Sequence, residues 1–142
     1  YKRQPFEALD ENYEIDKEAY LEYFRKMHKL FPKCKKMVMA VRNQIASSHH
    51  TLSGLLYDSQ EDKLYSTRIY DIQPIIDPMG VGDAFVAAYI HAHQKWGDEN
   101  QYCLDFSLSA SAIKNTIPGD QNLVSEEEII HNMTSSGGRI QR

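Results

Sequence analysis

Between Asp16 and Pro32 the apolar residues Tyr20, Tyr23, Phe24, Met27, Leu30 and Phe31 recur at spacings of three and four, which gathers them on one face of a helix. Asp16 can cap its start and Pro32 can stop it. Met37-Val-Met-Ala-Val41 is an apolar run too short for a helix and bounded by polar residues, the pattern of a buried strand. Arg42 follows its end. A polar loop with Ser47, Ser48, His49 and His50 comes next, then a strand over Leu52-Ser-Gly-Leu-Leu-Tyr57. A turn over Ser59 to Asp62 returns the chain to Leu64–Tyr70, an alternating segment predicted as the antiparallel partner.

Ile72 to Ile76 leads into a glycine motif. Beyond it a helix is predicted from Asp83 to about Lys95, with Phe85, Ala88, Tyr89 and Ala92 on one face and Gly97 near its end. A further helix, capped by Asp98, carries Tyr102 to Lys114. Ser125-Glu-Glu-Glu128 has capping-box spacing and opens a last short helix through Met133. Gly137 and Gly138 precede a polar tail. Strands first and helices after favour an α/β fold of packed layers, with helices on a mostly central β-sheet. The first fifteen residues carry no clean period, the pattern of a chain whose beginning lies elsewhere.

Composition narrows the functions. The 142 residues can bury one core of ordinary size. Sixteen basic and twenty acidic residues give a net charge of -4 without a basic stretch, so no nucleic-acid partner is expected. No apolar run reaches the roughly 20 residues that span a bilayer, so no membrane partner is expected either. Cys34 and Cys103, far apart and without metal-ligand spacing, are expected as reduced thiols in a cytoplasmic protein. His49-His50 and His91-x-His93 lack a third ligand and are expected to be structural or solvated, so no metal site is predicted. Trp96 and the aromatic face from Tyr20 to Phe31 are expected in the core.

The chemistry concentrates at Asp77-Pro-Met-Gly-Val-Gly-Asp83. Gly80, Val81 and Gly82 stand between a strand-like run and a helix, where unpaired N–H groups and the positive end of the helix dipole can face a phosphate. Phe85 stands where a dinucleotide fingerprint needs its third glycine, and no Gly-Lys-Ser/Thr occurs for a Walker loop. Asp83 follows the glycines directly. A carboxylate beside a phosphate site has a use as the base that takes a proton from an acceptor hydroxyl, while amides and metal stabilise the charge of phosphoryl transfer. The same letters also fit a helix cap at Asp83 after a tight glycine turn.

The segment Asp77 to Phe85 resembles the signature of ribokinase-type (PfkB) carbohydrate kinases, Asp-Thr-x-Gly-Ala-Gly-Asp followed by x-Phe. Ser109 to Val124 and the closing Gly138-Arg-Ile-Gln-Arg142 resemble the ends of the 2-dehydro-3-deoxygluconate kinases of that family. The resemblance runs from about Lys36 to Arg142, and the family's chains are about twice as long. It implies that residues 1–142 are the carboxy-terminal, nucleotide-binding part of a sugar kinase domain, with most sugar contacts in an amino-terminal half.

On this resemblance Asp83 is the catalytic base, also touching the substrate, and the amides of Gly80, Val81 and Gly82 form the anion hole. Arg42 to Ser47 would approach the nucleotide phosphates, Ser107 to Ala112 the adenine, and Asp120 the sugar. ATP and Mg2+ are the implied cofactors, with magnesium arriving on the nucleotide. A sugar or sugar acid, first 2-dehydro-3-deoxygluconate, is the implied partner, and a homo-oligomer stays open. Pro78 replaces the family's Thr and removes a hydroxyl and a backbone donor near its monovalent-cation site, which puts potassium dependence in doubt. Two alternatives share the sequence: a kinase for another sugar, a nucleoside or a vitamin alcohol, and a non-catalytic fragment that binds nucleotide or pairs with another chain.

Overall fold

The structure, a computed structural model, describes residues 14–135. The irregular opening segment as far as residue 13 and the glycine-containing tail, with its resemblance to the kinase ends, lie outside the described residues. Helix α1 spans Lys17–Leu30, with the Asp16 carboxylate accepting from the Ala19 N–H at 3.1 Å. Its apolar face is shorter than predicted: Tyr20 and Phe24 are buried, whereas Leu30 is 71% and Phe31, the residue after the helix, 56% exposed.

Strands β1 (Lys36–Ala46) and β2 (His49–Asp58) form a long antiparallel hairpin, in register from Lys36 opposite Asp58 to Arg42 opposite Leu52 and beyond. The predicted loop after Val41 is therefore mostly strand. Only Ser47 and Ser48 turn, and Arg42 lies inside β1. Polar side chains hid this strand from its pattern, since the ladder bonds are made by the backbone whatever the side chains are.

The predicted partner Leu64–Tyr70 divides into β3 (Lys63–Ser66), against Leu55–Asp58, and β4 (Tyr70–Ile72), against His50–Leu52. Thr67 causes the break. Its N–H donates to the Gly54 carbonyl, but its own hydroxyl, not a backbone carbonyl, accepts from the Gly54 N–H at 2.8 Å. A Cβ at Gly54 would meet Thr67 at 3.1 Å and Leu104 at 3.2 Å, so a glycine keeps both neighbours close.

Alternation sorts β1 and β2 onto two apolar faces. Met37, Met39, Val41, Leu55 and Tyr57 meet Tyr20 and Phe24 of α1, with the Phe24 and Tyr57 rings stacked at 5.8 Å. Val38, Ala40, Leu52 and Leu56 face the other way, toward α2 (Val81–Trp96) and α3 (Asn100–Lys114), where Phe85, Leu104, Leu108 and Ala112 close the main core. The sheet is thus the middle layer of an α/β fold, as predicted. Helix α4 (Glu126–Thr134) completes a second cluster around Ala88, Phe106, Ile113 and Ile129.

Trp96 belongs to that cluster, 5.1 Å from the Phe106 ring and 4.8 Å from Tyr102. Three fully buried serines of α3 let the helices approach. Ser107, Ser109 and Ser111 donate to the carbonyls of Cys103, Ile129 and Val81, so none costs an unpaired hydroxyl.

Both cysteines are free thiols, and burial pushes that of Cys103 up. His49 bonds Asp71, His91 bonds Glu126 and His93 bonds the Gly97 carbonyl. His50 differs: it is buried on β2 and neither ring nitrogen has a hydrogen-bond partner.

Candidate active site

The chain leaves β4 at Ile72 and returns toward the end of α3. The Ile75 N–H donates to Ser48 at 3.0 Å, which brings the β1–β2 turn beside this segment. The N–H groups of Ile76 and Asp77 both donate to the Asn115 carbonyl, at 2.8 and 3.2 Å. Asp77 then acts as a clamp, one carboxylate oxygen accepting from the Met79 N–H at 2.9 Å and the other from the Gly119 N–H at 2.8 Å. Those amides, first Met79 and then Gly119, with the charge of Lys114, hold its carboxyl below the usual carboxylate range.

Gly80 closes the loop with φ of 74°, and a Cβ there would stand 2.3 Å from the Asp120 carbonyl oxygen. Only glycine satisfies both conditions. This contact and the Asp77 clamp bind the 117–120 turn to the start of α2, so Asp120 does lie beside the glycines, with an exposed side chain.

The helix begins at Val81, two residues earlier than predicted, because Gly80 is its N-cap. The first intrahelical bond runs from the Ala84 N–H to the Gly80 carbonyl at 2.8 Å. The N–H groups of Val81, Gly82 and Asp83 precede it and point out of the helix end. No side chain caps them. Asp83 is not the N-cap: it sits in the exposed first turn, beside Gly82, whose missing Cβ would face open space.

One helical turn further on, a cavity of about 310 Å3 opens between α2, α3 and the segment leading into α4. Ala84, Ala88, Phe106, Ala110 and Val124 give it apolar walls, and Asn122, His91 and Glu126 add polar edges. The Asn122 side-chain oxygen is buried without a donor. Lys95 and His91 hold the Glu126 carboxyl below its ordinary range, at 2.5 and 2.8 Å.

The expected adenine contacts need correction here. Ser107 and Ala112 are both 0% exposed and turn into the packed core. Phe106 and Ala110, four residues apart and so on one face of α3, line the cavity instead. Arg42 is exposed on β1, five residues before the turn. Ser47, exposed in that turn, adjoins the loop through the Ser48–Ile75 bond. Asn122 and Val124 escaped notice in the sequence. Their only signal was a polar residue and an apolar one in the extended stretch before a strong helix cap.

The crystal structure of 2-dehydro-3-deoxygluconokinase from Thermotoga maritima matches 84% of this chain with a TM-score of 0.78 and 27% identity. A PfkB family carbohydrate kinase from Listeria grayi matches 80% with a TM-score of 0.74 and 30% identity. The fold is ribokinase-like. An Enterococcus faecalis chain, at 20% identity and a TM-score of 0.67 over 86% of this chain, shows the same fold. The chain spans 35% of the length of the first two structures and 34% of the third. No protein-family model and no curated protein sequence matches it.

Proposed function

We propose that this chain is the nucleotide-binding part of a sugar kinase that transfers the γ-phosphate of ATP to a hydroxyl group. The observation that carries this reading is a juxtaposition on α2: uncapped amides at Val81 to Asp83, and a largely apolar cavity of about 310 Å3 beginning at Ala84. A nucleotide has the same two parts, an anionic phosphate chain and a flat, largely apolar base. Phosphate oxygens would take the amides, and the base would lie between Ala88, Phe106 and Val124.

Asp83 stands where the two regions meet the solvent. Its carboxylate would accept the proton of an acceptor hydroxyl as the phosphorus–oxygen bond forms, the amides of Val81, Gly82 and Asp83 meanwhile taking up charge on the transferred group. Among the described residues no three His, Cys, Asp or Glu side chains gather into a metal site. Magnesium would therefore be held mainly by the nucleotide phosphates.

The Thermotoga and Listeria kinases favour a sugar-type acceptor, and 2-dehydro-3-deoxygluconate is the first to try, with Asp120 beside the glycines as a candidate contact. No described helix is long and apolar enough to cross a membrane, and the two free thiols suit a cytoplasmic protein. In the whole protein, Asp83→Asn is expected to lower kcat by about 10²-fold while nucleotide affinity changes little. Near-normal turnover of that variant would reject Asp83 as the base. Phosphorylation of an unrelated alcohol, and of no sugar acid, in an ADP-release assay over a panel of acceptors would reject the substrate class.

A further inference from the structure

Lys114, the last residue of α3, is 0% exposed, although an ammonium is among the groups that folding hides least readily. Its Nζ donates to the Ile117 carbonyl at 3.0 Å, and among the described residues it makes no ion pair within 4.0 Å. A buried cation of this kind needs a structural reason, and its surroundings supply one. It sits at the carbonyl end of α3, the negative end of the helix dipole. The neighbouring Asn115 carbonyl holds the amides of Ile76 and Asp77, and the turn beyond Ile117 delivers the Gly119 N–H to Asp77.

The resemblance noted above implies a monovalent-cation site beside Asp77, and the residues present do not fit a free ion there. Pro78 has no hydroxyl oxygen to offer as a ligand, and a fixed positive charge is already buried in the adjoining turn. We infer that Lys114 is a tethered cation: its ammonium holds the 115–119 turn against Asp77, so that the glycine loop keeps its shape without free potassium or sodium. Lys114 is a positioning residue and touches no reacting atom. The effect on activity rests on the kinase reading, whereas the effect on folding does not.

The test compares the whole protein with Lys114→Ala and Lys114→Met in choline, sodium, potassium and ammonium chloride at one ionic strength. The unsubstituted protein is expected to melt at the same temperature in all four salts, with nucleotide KM varying by less than about twofold, the scale of general screening. Lys114→Ala should melt lower in choline and regain part of the loss in potassium or ammonium, which can enter the space the side chain left. Its KM should rise about tenfold in choline, the order of one charge-assisted hydrogen bond, and fall again with the added cation. Lys114→Met fills the space without charge and should melt lower in every salt without rescue.

Potassium that stabilises or activates the unsubstituted protein would overturn the inference, as would a Lys114→Met variant equal to it in melting and KM. Should neither variant fold, the response of the unsubstituted protein to the four salts decides. Absence of nucleotide binding in any salt would sink the kinase reading alone, because the melting series still decides the part played by Lys114.

Discussion

Helices α2 and α4 begin in opposite ways. At α4 the Ser125 hydroxyl accepts from the Glu128 N–H at 3.2 Å and the Glu128 carboxylate accepts from the Ser125 N–H at 2.9 Å, so the helix end is closed by its own side chains. At α2 the N-cap is a left-handed glycine with no side chain to offer, and the first turn is exposed at Gly82 and Asp83. Helix α3 also starts without a side-chain cap, but its first residue Asn100 is buried and accepts from Lys36 at 2.8 Å. At α2 the uncapped amides open a first turn that is exposed at Gly82 and Asp83, and the loop behind it is held by the Asp77 clamp and the Gly80–Asp120 contact. A glycine in place of a Ser or Asp cap costs the helix only a few tenths of a kcal/mol and leaves its first amides open.

The sharpest way to break this contrast is Gly80→Ala. The new Cβ would collide with the Asp120 backbone in a conformation unfavourable to L residues, so a loss of at least about 2 kcal/mol is expected, together with loss of nucleotide binding. Urea unfolding and a nucleotide titration would check it. An alanine tolerated without cost would show that the loop is not held as described.

The remaining glycine and the cap of α4 then separate stability from binding. Gly82→Ala places a methyl in open space within a helix and should raise stability by up to about 1 kcal/mol, yet weaken nucleotide binding by obstructing the amides. Ser125→Ala should do the reverse, costing about 1 kcal/mol in unfolding experiments and leaving nucleotide affinity unchanged. If both variants moved affinity alike, the two helix ends would not differ in function.

The smallest effect concerns His50. Burial, then the nearby charges of Arg42 and His49, lower its pKa below the ordinary 6.5. A histidine whose folded pKa is depressed stabilises the protein above its unfolded pKa, and the benefit is lost as pH falls from there through the folded value. Unfolding midpoints should therefore decline below about pH 6.5, and His50→Gln should flatten that decline. An unchanged slope in the variant would exclude His50 as its source.

The elements legible in the sequence were those whose signals are local. Asp16, Gly97 and the Ser125–Glu128 pair marked helix ends directly, and the glycines at 80 and 82 marked the tight loop that opens α2. What escaped depends on partners distant along the chain. The five residues of β1 beyond Val41 are held by pairing with β2, and the break between β3 and β4 is made by the side chain of Thr67. The clamp from Asp77 to Gly119 spans 42 residues and leaves no trace in composition. On α3 the helix was legible but not its facing: Ser107 and Ala112 turn into the core, whereas Phe106 and Ala110 face the cavity. Lys114 was invisible because nothing local distinguishes a buried lysine from a solvated one.

Trp96, the single tryptophan of the chain, touches the ring of Phe106, which forms one wall of the cavity, and lies 6.1 Å from His91 at its edge. The molecule therefore carries an optical probe of its own. Its emission would respond to a base entering between the helices, so that half of a nucleotide could be followed without an added label.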